Sequence, residues 1–359
     1  MRSDVKDTLG IGLIGAGLAG SGRAECFQRL PGVELRAVAD SDQAHLSCFA
    51  NRYDVPGCHV DWHELISRDD ISVVHIAAPN YLHAEMVIAS ARAGKHVICE
   101  KPLCLNLEEA DLVIDTCRGQ GVKLCYAARL CFAPKFVLAK QLADAGDIGE
   151  IYSVRCSEKC GGPSWTRTWD NAQAGGGALI DIACHAIEFC RWVMNKQPVK
   201  SVYAQLNTRQ HNNDSGLEDD TIMIMEFGEG RTALIESSWA LNEPIQSRVE
   251  ILGTEGVIHA DLVGGIGLQC FTRKGIGQGN HEWLFSSYEW ISEIGFPQEL
   301  AHFIECIRKD EEPREHGQDG RAVLEVMLAG YHSAATGQKV KLPFRPRGIT
   351  RPIDLWYQR

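Results

Sequence analysis

Apolar positions in the first third of the chain fall into short, dense runs separated by longer stretches with helical spacing. Gly10 to Ile14, Val33 to Ala39, Ile71 to Ala78, His96 to Glu100 and Val122 to Ala127 read as strands. Gly20 to Leu30, Tyr81 to Ala93 and Leu107 to Gly119 carry the helical period, and Pro79, Gly94 and Pro102 punctuate the joins. Alternation of this kind predicts a doubly wound parallel sheet. Beyond residue 127 the rhythm changes. Pro134 to Ala145 reads as a helix, Ile151 to Cys156 as a strand, and Gly177 to Met194 as a long helix after three glycines. Strands then follow without intervening helices: Ser201 to Asn207, Thr221 to Phe227, Thr232 to Ser238, Ser247 to Leu252 and Val257 to Ala260. Gly228-Glu229-Gly230 and Gly253-Thr254-Glu255-Gly256 are turns of hairpin type. Pro297 to Arg308 and Gln318 to Ala335 read as closing helices.

The first strand runs straight into Gly15-x-Gly17-x-x-Gly20. Gly15 permits the tight turn, Gly17 close approach of the backbone to a pyrophosphate, and Gly20 close packing of helix on strand. The next strand ends in Asp40, about twenty residues past the triplet, where a carboxylate meets a ribose 2′-hydroxyl. Strand, triplet, helix, strand and acid in that order predict binding of NAD by a Rossmann-type sheet, with the helix start directed at the phosphates. Leu18, Ala19 and Ser41 join Gly15, Gly17 and Asp40 as candidate cofactor contacts. The expected fold is therefore α/β. Residues 1–127 form an N-terminal Rossmann doubly wound sheet, and 128–340 an α+β substrate-binding domain with a large, mostly antiparallel sheet.

Residues 341–359 carry five basic residues, one acid and three prolines, with Trp356 and Tyr357. The segment is read as an arm that cannot bury itself and lies over its own or a neighbouring subunit.

Composition narrows the classes of function. A net charge of −11, with acids spread along the chain, argues against nucleic acid as a partner. No apolar run approaches the roughly 18 residues needed to span a bilayer, and the first ten residues are polar, so a cytoplasmic protein is expected. The fourteen cysteines form no Cys-x-x-Cys pair, the nearest being Cys156 with Cys160, and are read as buried free thiols in a reducing compartment. His59, Asp61 and His63 fall in a short polar stretch read as solvated surface, and no metal is expected.

Two places carry candidate chemistry. Glu100-Lys101-Pro102 lies at the carboxyl end of a strand, the edge where open parallel sheets bind ligands, although such a pair is also common on plain surfaces. Asp181 and His185 stand four apart on a predicted helix and share a face, as either a chemical pair or a structural one. Oxidising an alcohol needs a base for the hydroxyl proton and positive charge for the developing alkoxide, which a lysine and a histidine with an acid supply.

The chain resembles the glucose-fructose oxidoreductase and inositol 2-dehydrogenase (Gfo/Idh/MocA) family over nearly its whole length. The resemblance rests on the glycine triplet, Pro79-Asn80-x-x-His83, Gly94-Lys95-His96-Val97 leading into Glu100-Lys101-Pro102, Gly146-x-Ile148-Gly149, and Gly175-Gly176-Gly177 followed by Asp181 and His185. It implies that Lys101 orients a substrate hydroxyl, His185 exchanges its proton and Asp181 holds substrate or histidine. Asn80, His83 and Glu100 would line the nicotinamide half of the cofactor pocket, with Pro79 and Lys101 as further cofactor contacts. Ala127-Ala128-Arg129 departs from a more usual asparagine-arginine pairing, leaving the role of Arg129 open. Arg129, Lys159, Tyr126 and Trp169 are candidate sugar contacts, the two aromatics equally readable as core. The implied activity is oxidation of a sugar, glycoside or cyclic polyol with NAD, the preferred member being one that oxidises C3 of a glucosyl group in plant glycosides. An inositol or aldose dehydrogenase, an oxidation–elimination glycosidase that recycles its NAD, and an NAD(H)-responsive sensor are the alternatives. A homo-oligomer, dimer or tetramer, is expected through the sheet of the C-terminal domain.

Overall fold

The computed structural model describes residues 8–162, 174–211, 216–242, 245–264, 267–273, 283–286 (backbone only) and 294–357. The chain divides into two units, Met1–Ala127 with Phe296–Arg321, and Ala128–Gly295 with Ala322–Arg359.

Six parallel strands build the first unit: β1 (Leu9–Ile14), β2 (Val33–Ala39), β3 (Gly57–His59), β4 (Val73–Ile76), β5 (His96–Cys99) and β6 (Leu124–Tyr126), in the order β3-β2-β1-β4-β5-β6. Ile11, Leu13, Val38, Val74, Ile76, Val97 and Ile98 are buried, as expected of a parallel sheet covered on both faces. The register aligns the carboxyl ends: Ile14 lies opposite Ala39 and Ile76, Ile76 opposite Cys99, and Cys99 opposite Tyr126. Strand order reverses between β1 and β4, and Gly15, Asp40, Pro79 and Lys101 all leave the sheet at the edge used for ligands.

Several elements here differ from the sequence reading. The polar stretch around His59, Asp61 and His63 is largely exposed, as read, but is a strand end and a helix start rather than a loop, with Asp61 capping the Trp62–Ile66 helix by accepting the His63 N–H. The second domain, expected as one stretch over 128–340, is interrupted. The Phe296–Lys309 helix and the chain to Arg321 belong with the first unit, where Phe296 lies beneath the Arg23 guanidinium and the Tyr126 N–H donates to the Glu315 carbonyl. Contacts over such sequence separation leave no local signature.

Among its described residues the second unit holds nine strands: β7 (Ile151–Cys160), β8 (Ser201–Asn207), β9 (Asp220–Glu226), β10 (Thr232–Ser238), β11 (Ile245–Gly253), β12 (Gly256–Asp261), β13 (Leu268–Thr272), β14 (Trp283–Ser286) and β15 (Val340–Lys341), in the order β14-β13-β12-β11-β7-β10-β9-β8-β15. All neighbours pair antiparallel except β7 and β10. Alternate residues separate the faces: Thr221, Met223 and Met225 of β9 are buried while Ile222 and Ile224 are exposed. Helices cover the buried face, with Phe136 and Phe189 joining the Pro134–Asp144 and Cys184–Val193 helices at 5.0 Å between ring centroids.

The tail lies over its own chain, one of the two placements expected, but its end is buried, against the expectation. Lys341 pairs with Ser201, the Ile353 N–H donates to the Gly175 carbonyl, and the Tyr357 hydroxyl donates to the Gly216 carbonyl. Its apolar residues Ile353, Leu355 and Trp356 supply the buried area that the basic composition conceals.

Candidate active site

The glycine triplet divides its work as its geometry requires. Gly15 has φ +106°, and a Cβ there would lie 2.3 Å from the Ala77 carbonyl oxygen. At Gly20 a Cβ would lie 2.0 Å from the Gly15 oxygen. Gly17, the N-cap of the Leu18–Phe27 helix, has no protein atom within 4 Å of such a Cβ. Two of the glycines are thus demanded by the fold, while the third keeps open the space at a helix start where a phosphate sits. Asp40 accepts the Ala16 N–H on Oδ2 at 2.7 Å and the Asp42 N–H on Oδ1 at 2.8 Å. It therefore ties the glycine loop to the end of β2, and a carboxylate with about four lone-pair sites retains acceptor capacity for a ribose hydroxyl. Leu18, Ala19 and Ser41 are exposed beside it. These residues fit NAD.

At the β5 edge, Lys101 and Asn80 are half-buried, and Pro79 introduces the turn Asn80–Leu82. His83 and Glu100 lie deeper than the family resemblance implies. His83 is fully buried, with Nδ1 2.7 Å from the Pro102 carbonyl oxygen and Nε2 3.0 Å from that of Ala78. It braces the two loops rather than lining a ligand surface. Glu100 accepts from Arg23 Nε at 2.6 Å and lies 3.4 Å from His75 Nε2. Burial alone would raise its pKa, but the Arg23 guanidinium, with His75, holds the carboxyl well below the usual carboxylate range.

In the second unit the expected single helix over 177–194 is two pieces, a π-helical stretch Leu179–Ala183 followed by the α-helix Cys184–Val193. Wide turns of this kind concentrate at functional sites. Asp181 is half-buried within the π-helical stretch, and His185 is buried in the first turn of the α-helix. Trp239, fully buried just beyond β10, donates its indole N–H to Asp181 Oδ2 at 3.1 Å. Sequence reasoning missed Trp239; the only available signal was its position at the carboxyl end of a strand. The preceding glycines make room for other residues. A Cβ at Gly176 would lie 2.0 Å from the Tyr331 hydroxyl, and one at Gly177 1.8 Å from the Glu218 carbonyl oxygen.

The four candidate sugar contacts separate. Tyr126 is core: it is 1% exposed, and its ring lies 2.9 Å from where a Cβ on Gly320 would be. Lys159 pairs with Glu236 at 2.8 Å, on the sheet face opposite the buried Val154, Cys156 and Glu158. Arg129 lies 3.5 Å from Glu158, which also accepts from the Ser247 hydroxyl. Burial pushes Glu158 up to about 7, against the pull of Arg129 and Ser247. Trp169 lies outside the described residues.

Comparison with known proteins gives the family, the fold and the cofactor. Residues 9–128 match the oxidoreductase family with an NAD-binding Rossmann fold, and 136–259 match the GFO/IDH/MocA C-terminal domain. The chain is similar to myo-inositol 2-dehydrogenase of Thermotoga maritima, at 27% identity over 92% of this chain and 98% of that protein. It is similar to D-glucoside 3-dehydrogenase of Escherichia coli, at 27% identity over 93% and 97%. Among solved structures it resembles GenD2 of gentamicin A biosynthesis in complex with NAD, with a TM-score of 0.85, 32% identity, and coverage of 95% of this chain and 98% of that one.

Proposed function

The chain belongs to the Gfo/Idh/MocA family of NAD-binding oxidoreductases, and from that premise we propose that it oxidises a secondary ring hydroxyl of a sugar, foremost C3 of a glucosyl group in a glycoside. It is an enzyme of a family of sugar and polyol dehydrogenases. The observation that carries the reading is the placement of an acid and a histidine: Asp181 is fixed by the Trp239 indole in the π-helical stretch, and His185 stands in the first turn of the α-helix that follows. The helix start at Gly17 and the Asp40 carboxylate would hold NAD, which would supply the acceptor for the hydride of the carbinol carbon. Lys101 donates a hydrogen bond to the substrate hydroxyl and its charge favours the developing alkoxide, while a ring nitrogen of His185 takes the hydroxyl proton. Asp181 then orients the histidine or a neighbouring substrate hydroxyl, and Arg129 is a further candidate contact. Loss of hydride and proton leaves the ring carbon as a ketone, so a free anomeric centre is not needed. The similarity to a D-glucoside 3-dehydrogenase supports C3, and the similarity to a myo-inositol 2-dehydrogenase supports a cyclic polyol as the second reading.

No helix among the described residues is long and apolar enough to cross a membrane, and fourteen free cysteines favour a reducing, cytoplasmic setting. Exposed Ile222 and Ile224 on the open face of the nine-stranded sheet support a homo-oligomer built on that face. The test of the reaction is to incubate the protein with NAD and a panel of glucosides, free sugars and inositols, following NADH absorbance. NMR of the product from a phenolic glucoside should show a 3-keto glycoside with the aglycone attached. A lactone, or activity confined to reducing sugars, contradicts C3 oxidation.

A further inference from the structure

The start of the helix that carries Asp181 and His185 is held by one residue far away in sequence. Three consecutive amides there, Gly177, Ala178 and Leu179, would otherwise be among the unsatisfied donors of a helix start. Glu218 accepts all three. Its carboxylate takes the Gly177 N–H at 3.0 Å on each oxygen and the Leu179 N–H at 3.0 Å on Oε1, and its main-chain carbonyl takes the Ala178 N–H at 3.0 Å. The Tyr331 hydroxyl donates to the same Oε1 at 2.7 Å. Both Glu218 and Tyr331 are fully buried.

The close approach is possible only because residues 176 and 177 lack side chains, as the 2.0 Å and 1.8 Å collisions of a Cβ with Tyr331 and Glu218 require. The next residue continues the hold: the Asp219 carbonyl accepts the Trp239 N–H at 2.7 Å and the Ser238 hydroxyl at 3.0 Å, and the Trp239 indole reaches Asp181. Two adjacent residues at the entry to β9 thus fix the helix start on one side and the partner of Asp181 on the other. A cap contributed from 39 to 41 residues away, rather than by the residue before the helix, makes the position of that helix a property of the tertiary structure.

We propose that Glu218 and Tyr331 form a positioning pair that sets where Asp181 and His185 meet the substrate, without touching it. The proposal rests on the catalytic reading of Asp181 and His185. Misplacement of reacting groups by about 1 Å costs up to about 100-fold in rate, so loosening the helix start acts on turnover before it acts on cofactor binding.

The test uses the full chain with NAD and the panel substrate on which it is fastest, and NADH for the binding measurement. Glu218→Gln keeps the volume but offers a single acceptor oxygen. It should lower kcat about tenfold or more, leave the Kd of NADH unchanged, and speed amide exchange over 175–185 without speeding it across β7 and β11. Tyr331→Phe should show a smaller loss of the same kind, and it decides the matter if Glu218→Gln does not fold. Adding Tyr331→Phe to Glu218→Gln should cost little more than Glu218→Gln alone. Wild-type kcat in the soluble variant, or exchange faster throughout the second unit, overturns the proposal. If His185→Ala instead keeps wild-type turnover, the catalytic reading falls while the exchange result still judges the brace.

Discussion

The Trp239 indole donates its N–H to Oδ2 of Asp181 at 3.1 Å, across 58 residues of sequence and from a fully buried ring. That bond gives Asp181 a fixed orientation that its helix alone would not. Trp239→Phe keeps most of the ring and removes the donor. A hydrogen bond to a charged group contributes about 1.5–3 kcal/mol, so turnover should fall by about tenfold or more with little change in NADH affinity. Steady-state kinetics beside NADH titration check this, and unchanged kcat would show that Asp181 is held by other means.

Asp40 governs the choice of cofactor. Its carboxylate, with Asp42 close by and no adjacent arginine, favours a ribose hydroxyl and repels a 2′-phosphate. Asp40→Ala should narrow the preference for NAD over NADP by about tenfold or more. The ratio of kcat/KM for the two cofactors is the readout, and an unaltered ratio counts against the role.

Gly17 and Gly20 should respond differently to the same substitution. Alanine at Gly17 meets no protein atom, so the variant should fold with a near-normal Tm yet bind NADH about tenfold or more weakly, because the methyl occupies the phosphate cradle. Alanine at Gly20 collides with the Gly15 carbonyl and should lower Tm instead. Thermal melts and fluorescence titration of both variants separate the two effects. Normal NADH affinity in Gly17→Ala contradicts the cradle.

Buried Glu158 predicts a pH effect of definite sign. Burial raises its pKa from an ordinary 4.5 to about 7, with Arg129 and Ser247 opposing. The native state therefore holds this proton more tightly than the unfolded chain, and the stability it contributes is complete below about 4.5 and lost as pH rises through about 7. Glu218, pushed up to about 7 by burial, acts in the same direction. Wild-type Tm minus that of Glu158→Gln should thus be greater at about pH 5 than at about pH 8. A difference that grows with pH would mean that Arg129 dominates the site.

What could be read in the sequence was what sits close together in it. The first strand, the glycines, the helix and Asp40 follow one another, and each leaves a local mark. Lys101 was visible because Pro102 stops a strand, and Asp181 with His185 because four residues separate them. Glu218, Trp239 and Tyr331 left no such mark, since their partners lie 41, 58 and 113 residues away. Short strands were missed for a related reason: β3 and β15 have three and two residues, too few to show a period. The C-terminal arm misled because its basic residues outnumber the few apolar ones that anchor it. The family resemblance implied that His83 and Glu100 face the cofactor, whereas their depth follows from the Ala78 and Pro102 carbonyls and from Arg23.

The most direct test is turnover of Lys101→Ala and His185→Ala on the fastest substrate of the panel, with NADH binding measured on the same preparations. Both variants should bind NADH and lose about 100-fold or more in kcat, the size of a general acid–base contribution. Either variant turning over at the wild-type rate would contradict the account.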